Sequence, residues 1–455
     1  MMMLAAQIIE NIRMIKTVHG SKALTVFFFA VFLGVALQIQ ADIAGMRINM
    51  ADLALPFAGL AVGASLLCKR SCWPQWNIPH AYLFLAALAG WMVVAFVNGY
   101  VYIGAISSWA LYNKVLGFFV LLAYFALGGW LYTNYRDMAL APFIKGFCFF
   151  FALALVAGGI IVFIAEALIT PLPRLFPYEG FMANRNAFCV LIIAAVMFML
   201  VIERRMEHFF PVWLIRALLV FLPLVIAYNA SRAGWILFIF ITAYFLIAHF
   251  KWFSKKILPF LLMGGVLTGM FIYLLDTRLE KRQQLQLAAK AVKMLQQEGA
   301  AVLENVEKDN KRIRKNASEL IRLRNLRDSF ALWKDSPLMG AGLGALLHYQ
   351  YQTYDPETTY IDIMDSSPVW LLTETGLVGF GLFMAFYIFV LRALWIKRRD
   401  AEGLEAAFAE ALFVFLLAFG AMSLLHEIIY TRFLWLMMGM GVAVAAGRSK
   451  SIQNQ

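Results

Sequence analysis

The chain has 455 residues, of which 62% are hydrophobic and only 15% charged. Soluble globular domains carry about a quarter charged residues, so this balance excludes a soluble enzyme and makes a membrane protein the expected class. Lys plus Arg number 39 against 27 Asp plus Glu, a net charge of +12, which in a soluble chain would raise nucleic acid as a partner; here no nucleic-acid partner is expected, and what matters is on which side of the membrane the charges sit.

Met1 to Lys22 reads as a short amphipathic segment with Arg13, Lys16 and Lys22. No small-residue cleavage site follows the next apolar run, which is therefore expected to be retained as the first span. Apolar stretches lie at 23–41, 49–67, 81–98, 110–131, 141–166, 186–203, 212–228, 233–250, 257–275, 368–391, 405–425 and 433–447. Their lengths approach the ~20 residues that a helix needs to cross ~30 Å of hydrocarbon. The expected fold is all-α: a single polytopic membrane domain over 1–455, with about twelve transmembrane helices and one large, partly helical loop at 276–367 between spans nine and ten. Within span nine, Gly265 and Gly269 have a small-residue spacing that suits close helix packing. The four cysteines, Cys68, Cys72, Cys148 and Cys189, are too scattered for a disulfide framework, and Cys68 and Cys72 lack the further ligands of a zinc site.

With the N-terminus inside, the short inner segments hold seventeen basic residues: Arg13, Lys16, Lys22, Lys69, Arg70, Arg136, Arg204, Arg205, Lys251, Lys255, Lys256, Arg392, Lys397, Arg398, Arg399, Arg448 and Lys450. The short outer loops hold only Arg47, Arg174, Arg185, Arg232 and Arg432. The positive-inside rule then places both termini in the cytoplasm and the large loop outside. The five outer arginines oppose that bias, so each needs a reason. Snorkelling or a salt bridge is one; an anionic ligand is the other, because Arg presents a planar fork matched to phosphate oxygens.

In the large loop, Arg278 to Asp328 is charged, with apolar residues at helical spacing, and reads as two amphipathic helices. Pro337 to Pro368, rich in Gly, Tyr, Asp and Thr, reads as an irregular surface segment, the kind on which binding and chemistry concentrate. Three patterns meet on this outer side. Ser231-Arg232-Ala233-Gly234 sits where span eight begins, and free backbone N–H groups there would join Arg232 in holding an anion. Arg185 stands between Asn184 and Asn186 at the start of span six. The loop adds Arg322 and then Pro337-Leu338-Met339-Gly340-Ala341-Gly342-Leu343-Gly344. These glycines allow close approach to a backbone or a ligand; without a preceding strand and a βαβ unit they are not a dinucleotide loop.

Asp365-Ser366-Ser367-Pro368 then leads into Leu371-Leu372-Thr373-Glu374-Thr375-Gly376-Leu377-Val378-Gly379. The ordered set of Ser231-Arg232, Arg322, the Pro337 to Gly344 run and the Leu371 to Gly379 run resembles the O-antigen ligase and polysaccharide polymerase family of bacterial inner-membrane glycosyltransferases, over roughly residues 180–440. Family ligases carry a His-Asn, His-Ser or His-Gln pair, nine residues, Gly, two residues, and Gly, Thr or Tyr. Here Asp365-Ser366, nine residues, Gly376, two residues and Gly379 keep the spacing, with Asp365 in the histidine's place. Tyr430 and Arg432, ahead of Leu434-Trp435, also resemble family positions.

The resemblance implies a metal-independent transfer, without cofactor, of a glycan from undecaprenyl diphosphate to a hydroxyl: on the lipid A core in a ligase, on the growing glycan in a polymerase. Membrane lipids are the surrounding partner and the inner membrane the location. On this reading Arg232, Arg185 and Arg322, with Ser231 and Asn186, hold the diphosphate, Glu374 orients acceptor hydroxyls, and His426, Tyr430 and Arg432 line the site. A carboxylate within reach of the acceptor hydroxyl can act as general base, which makes Asp365 the leading candidate and His348, on the same side, its substitute; helix capping is the competing role for Asp365. A secondary transporter is the rival of another class, for which paired broken helices and midplane charges would be expected.

Overall fold

The computed structural model describes residues 22–35, 38–40, 47–68, 81–167, 185–228, 231–273, 321–354 and 366–446. Among them the chain is helical apart from one small hairpin, β1 (Gln38–Gln40) paired antiparallel with β2 (Arg47–Asn49). The helices are α1 (Lys22–Val35), α2 (Met50–Leu67), α3 (Ala81–Ile103), α4 (Gly117–Ala167), α5 (Arg185–Arg205), α6 (Val212–Tyr228), α7 (Arg232–Lys256), α8 (Leu258–Tyr273), α9 (321–335), α10 (Ala345–Thr353), α11 (Ser367–Asp400), α12 (Gly403–Ser423) and α13 (Arg432–Ala446). By length and composition, five of the described helical segments can cross a membrane, and five shorter apolar helices accompany them. This is the composition of a membrane protein.

The expected first span ran to residue 41, but Gln38–Gln40 within it form the strand β1. Gln38 and Gln40 alternate with Ile39, a period of two that fits a strand. The stretches expected at 110–131 and 141–166 fall in one helical run, entered through π turns at Ala110–Leu116 and continuing as α4. That run is not a straight rod. Phe118 packs on Trp435 at 5.3 Å between ring centroids, and Phe151 packs on Phe433 at 5.6 Å. In a straight helix the two phenylalanines would stand about 50 Å apart, so the chain must double back. The reversal lies between Tyr132 and Phe143, whose rings both meet Phe408, at 6.3 and 6.4 Å. Asp137, fully out in solvent, and Pro142, which cannot donate a helical hydrogen bond, mark it.

The core is aromatic: Phe32, Phe143, Phe147, Phe198, Phe408 and Trp435 are all fully buried. Small residues let backbones meet around it. A Cβ on Gly128 or Gly439 would overlap the backbone of α13 or α4, and one on Gly264 would overlap Val220 of α6. Gly265 and Gly269, expected to form that packing face, have nothing within 4 Å of a Cβ; the helix is rotated so that Gly264 makes the contact.

The largest departure from the expected layout concerns Pro337 to Gly344. Instead of running over the surface, Gly340 to Leu346 is buried, threaded between α3 and a break in α11. Gly376 interrupts α11 with φ +67° and ψ −173°, a conformation that glycine alone adopts readily. The break frees backbone groups that a membrane interior cannot hydrate, and the threaded segment satisfies them. Ala341 and Gly342 donate their N–H groups to the carbonyls of Thr373 (2.8 Å) and Glu374 (3.1 Å), while Leu377 and Val378 donate to the carbonyls of Pro337 (2.9 Å) and Leu338 (3.2 Å). Trp91 Nε1 donates to the carbonyl of Thr375 at 2.8 Å. On the α3 side Leu343 N–H donates to the carbonyl of Ala95 at 2.9 Å, and Asn98 Nδ2 donates to that of Gly340 at 2.6 Å. Gly340, Gly342 and Gly344 take φ of +75°, +95° and +86°, and a Cβ on Gly340 or Gly342 would collide with the backbone of Gly376 or Gly99. The segment then enters α10, so the expected irregular surface is in part a helix. Most of the remaining large loop, including most of its expected amphipathic pair, lies outside the described residues.

Gly376→Ala would combine an unfavourable backbone conformation with overlap on the Leu338 carbonyl, at an expected cost of about 2–4 kcal/mol. Gly265→Ala, with open space around its Cβ, should change stability by less than about 0.5 kcal/mol. Thermal unfolding of both variants in detergent compares the two.

Candidate functional site

The glycine lock positions the polar residues at one end of the helices. Glu374 lies on the helical turn just before the break and is 1% exposed. Its Oε2 accepts from Trp370 Nε1 at 2.8 Å. Two turns earlier, Ser367 is buried; its Oγ donates to the carbonyl of His426 and accepts from the N–H of Ile428, both at 3.0 Å. This clamps the start of α11 to the connection between α12 and α13.

Beside it lies a residue that sequence reasoning missed. Lys114, on the π turns, is 3% exposed and ion-paired to Glu427. Its ammonium stands over three rings, at 4.2 Å from the centroid of Trp370, 4.6 Å from Tyr430 and 5.0 Å from Trp109. Such contacts contribute about 2 kcal/mol each when water is excluded. Tyr430 donates its hydroxyl to the carbonyl of Lys114 at 3.2 Å, and its ring meets Trp370 edge-on at 5.7 Å. Burial, and then the nearby Glu427 and Glu374 carboxylates, push the Tyr430 phenol well above its ordinary value, so it stays a donor. The sequence signal was available: a lysine inside an apolar stretch is costly in lipid and needs a partner.

Arg432 makes a two-pronged pair with Asp52 of α2, Nε to Oδ1 at 3.2 Å and Nη2 to Oδ2 at 2.6 Å, while Tyr124 donates to the same Oδ1 at 2.9 Å. Of the two reasons considered for an outer arginine, the salt bridge is the one seen here. Ser231 is buried at the N-cap of α7, where its Oγ accepts from the N–H of Gly234 at 3.0 Å. That N–H is thus already engaged. Arg232 begins α7 and Arg185 begins α5; their side chains and that of Asn186 lie outside the described residues, as does Asp365, two positions before α11.

Arg322 is exposed on α9, and His348 is half-buried on α10 with its ring edge-on to Tyr102 at 6.4 Å. These two helices are joined by a polar cluster in which Gln350 Nε2 donates to Asn325 Oδ1 at 2.9 Å, Tyr354 donates to Asp328 at 3.1 Å, and Arg324 stands over the Tyr354 ring at 4.7 Å. The structure therefore groups Glu374, His426 and Tyr430 around Lys114 and Ser367, carries His348 one turn beyond Gly344, and ties Arg432 to Asp52. Among the described residues no group of three or more His, Cys, Asp or Glu side chains could hold a metal ion.

The other end of the helices is closed by Glu410 of α12, fully buried yet ion-paired with Arg205 and with Arg204 at 3.4 Å, and hydrogen-bonded with His249 Nε2 at 3.2 Å. Arg205 also donates to the carbonyl of Arg398. Charges therefore concentrate at the two ends of the helices, with the aromatic core between them.

Removing one member of the Asp52–Arg432 pair strands a nearly buried charge, which costs about 3–5 kcal/mol. Asp52→Ala and Arg432→Ala should each lower stability by that order, and the double variant by clearly less than the two combined. Unfolding measurements on the three proteins report that coupling.

No curated protein matches the chain. Residues 217–384 match the O-antigen ligase family model, a range that opens within α6, takes in Ser231, Arg232, Arg322, the glycine lock and Glu374, and closes within α11. Over that range the chain is similar to the O-antigen ligase family, which supports a role in glycan transfer or polymerisation.

Proposed function

We propose that the protein transfers a glycan from undecaprenyl diphosphate to a hydroxyl of the lipid A core, without a metal, at the periplasmic side of the bacterial inner membrane. The observation that carries this reading is the coincidence of the family match over 217–384 with the polar end of the helices, where Ser231, Glu374 and the glycine lock stand. The proposed topology has about twelve spans, cytoplasmic termini and the 276–367 loop in the periplasm. It agrees with the Glu410 cluster lying among the arginines expected inside, and Lys114, Glu427 and Arg432 lying at the opposite end.

In the proposed reaction Arg232, Arg185 and Arg322 hold the diphosphate, and fixed positive charge stabilises it as it leaves. The acceptor oxygen bonds to the anomeric carbon as the bond from that carbon to the phosphate oxygen breaks. The acceptor proton passes to Asp365, or to His348, and the diphosphate departs with the electron pair. Glu374, with one oxygen held by Trp370, orients acceptor hydroxyls. Polymerisation of the lipid-linked glycan uses the same chemistry with a different acceptor. The break in α11 is occupied by the chain's own backbone, which speaks against the rival reading of a transporter, where broken helices face a substrate cavity.

In a deletion strain, Arg232→Ala or Asp365→Ala is expected to leave the protein inserted but to abolish surface glycan; unchanged glycan banding would remove that residue from the mechanism. The deletion itself separates the two acceptors. Loss of long chains from lipid A with lipid-linked polymer retained identifies a ligase, whereas capping by single units identifies a polymerase.

A further inference from the structure

Lys114 and Glu427 form an ion pair among aromatic side chains. Trp109, Trp370 and Tyr430 already line the ammonium, and buried ion pairs are often replaceable by apolar residues of similar volume with no loss of stability. Lys114 is carried on π turns at Ala110–Leu116, a distortion frequent at functional sites. Gly117 follows directly, and a Cβ there would come within 3.4 Å of the Tyr430 ring.

The ammonium touches both elements that meet at the candidate site. Through Glu427 and Tyr430 it holds the connection between α12 and α13; through the ring of Trp370 it holds the first turn of α11. Trp370 in turn donates to Glu374 at 2.8 Å, and Ser367, one turn earlier, is tied to His426 and Ile428. The rotation of the α11 start, which aims Glu374 and is continuous with Asp365 two residues earlier in the chain, is thus referred to one buried cation. Unlike a dispersion contact, an ion pair inside an aromatic cage fixes both distance and direction.

We propose that Lys114, held by Glu427, is a positioning residue of the glycan-transfer reaction: it sets the first turns of α11 relative to the connection between α12 and α13 without itself touching substrate. The proposal rests on the transfer reading above. If it holds, replacing both charges by apolar residues leaves the fold and donor binding intact and slows turnover.

The test uses the full-length chain in detergent or liposomes, with an undecaprenyl-diphosphate-linked glycan as donor and lipid A core as acceptor. Lys114→Met/Glu427→Met is expected to melt close to the wild-type temperature and to keep its donor KM, while kcat falls by about tenfold or more, as misplacement by a fraction of an ångström can produce. Lys114→Arg, which restores the cation, should recover much of that loss. A folded double variant with wild-type kcat overturns the inference, as does one whose defect lies wholly in donor KM. Failure of the double variant to fold assigns the pair a structural role and also overturns it. An inactive wild-type chain overturns the transfer reading itself, together with this inference.

Discussion

A helix that breaks inside a membrane protein must find partners for every backbone group the break sets free, because no water is there to take them. The interruption of α11 at Gly376 imposes this demand, and the Pro337 to Leu343 segment with Trp91 meets it group by group. Much else follows from that solution. The segment must reach the break, so it leaves the surface and passes against α3. It must approach to hydrogen-bonding distance of two other backbones, so glycine occupies positions 99, 340, 342 and 376, where a Cβ would strike main chain. Its far end turns at Gly344, whose φ of +86° opens α10. The candidate site is therefore assembled by main-chain hydrogen bonds, which hold position more firmly than surface side chains do.

The same lock joins two parts that appear separate along the chain. The helix α9 and the helix α10 flank the threaded segment, and their own polar contacts, Gln350 to Asn325 and Tyr354 to Asp328, close them on each other. Displacing either would strain the hydrogen bonds at Gly376. Residues of the large loop and residues of the apolar helices consequently belong to one packed unit, although Asn98 and its partner Gly340 stand 242 positions apart in the sequence.

How much of this was legible depended on how local the signal was. Apolar stretches are local, and each of those marked out overlaps a described helix, although the first runs on into β1 and the two inside 110–166 share one helical run. The spacing from Ser366 to Gly376 and Gly379 was legible too, and Gly376 proved to be the break itself. The meaning of the Pro337 to Gly344 glycines was not, because a glycine run reads the same whether it turns in solvent or lies against another backbone. The choice of Gly264 over Gly265 and Gly269 as the packing contact depends on helix rotation, which periodicity does not set when apolar residues surround the helix on all sides. Lys114 was hidden by the twenty apolar residues around it, although one cation in such a stretch is itself a reason to look for a buried anion.

Charge shows the difference between counting and pairing most clearly. Sorting basic residues by loop indicates an orientation, and it singles out arginines whose presence outside needs a cause. For Arg432 that cause is Asp52, a lone carboxylate at the start of α2 that no local pattern connects with residue 432. Glu410 plays the corresponding part for Arg204 and Arg205 at the opposite end. Arg432 at one end of the helices and Glu410 at the other thus each answer charges from distant segments. An excess of +12 therefore says little about any one arginine: what decides whether it can serve an anionic substrate is whether the fold has already given it a carboxylate. By that criterion Arg432 is committed to holding α13 against α2, where its guanidinium is tied to Asp52 through both carboxylate oxygens.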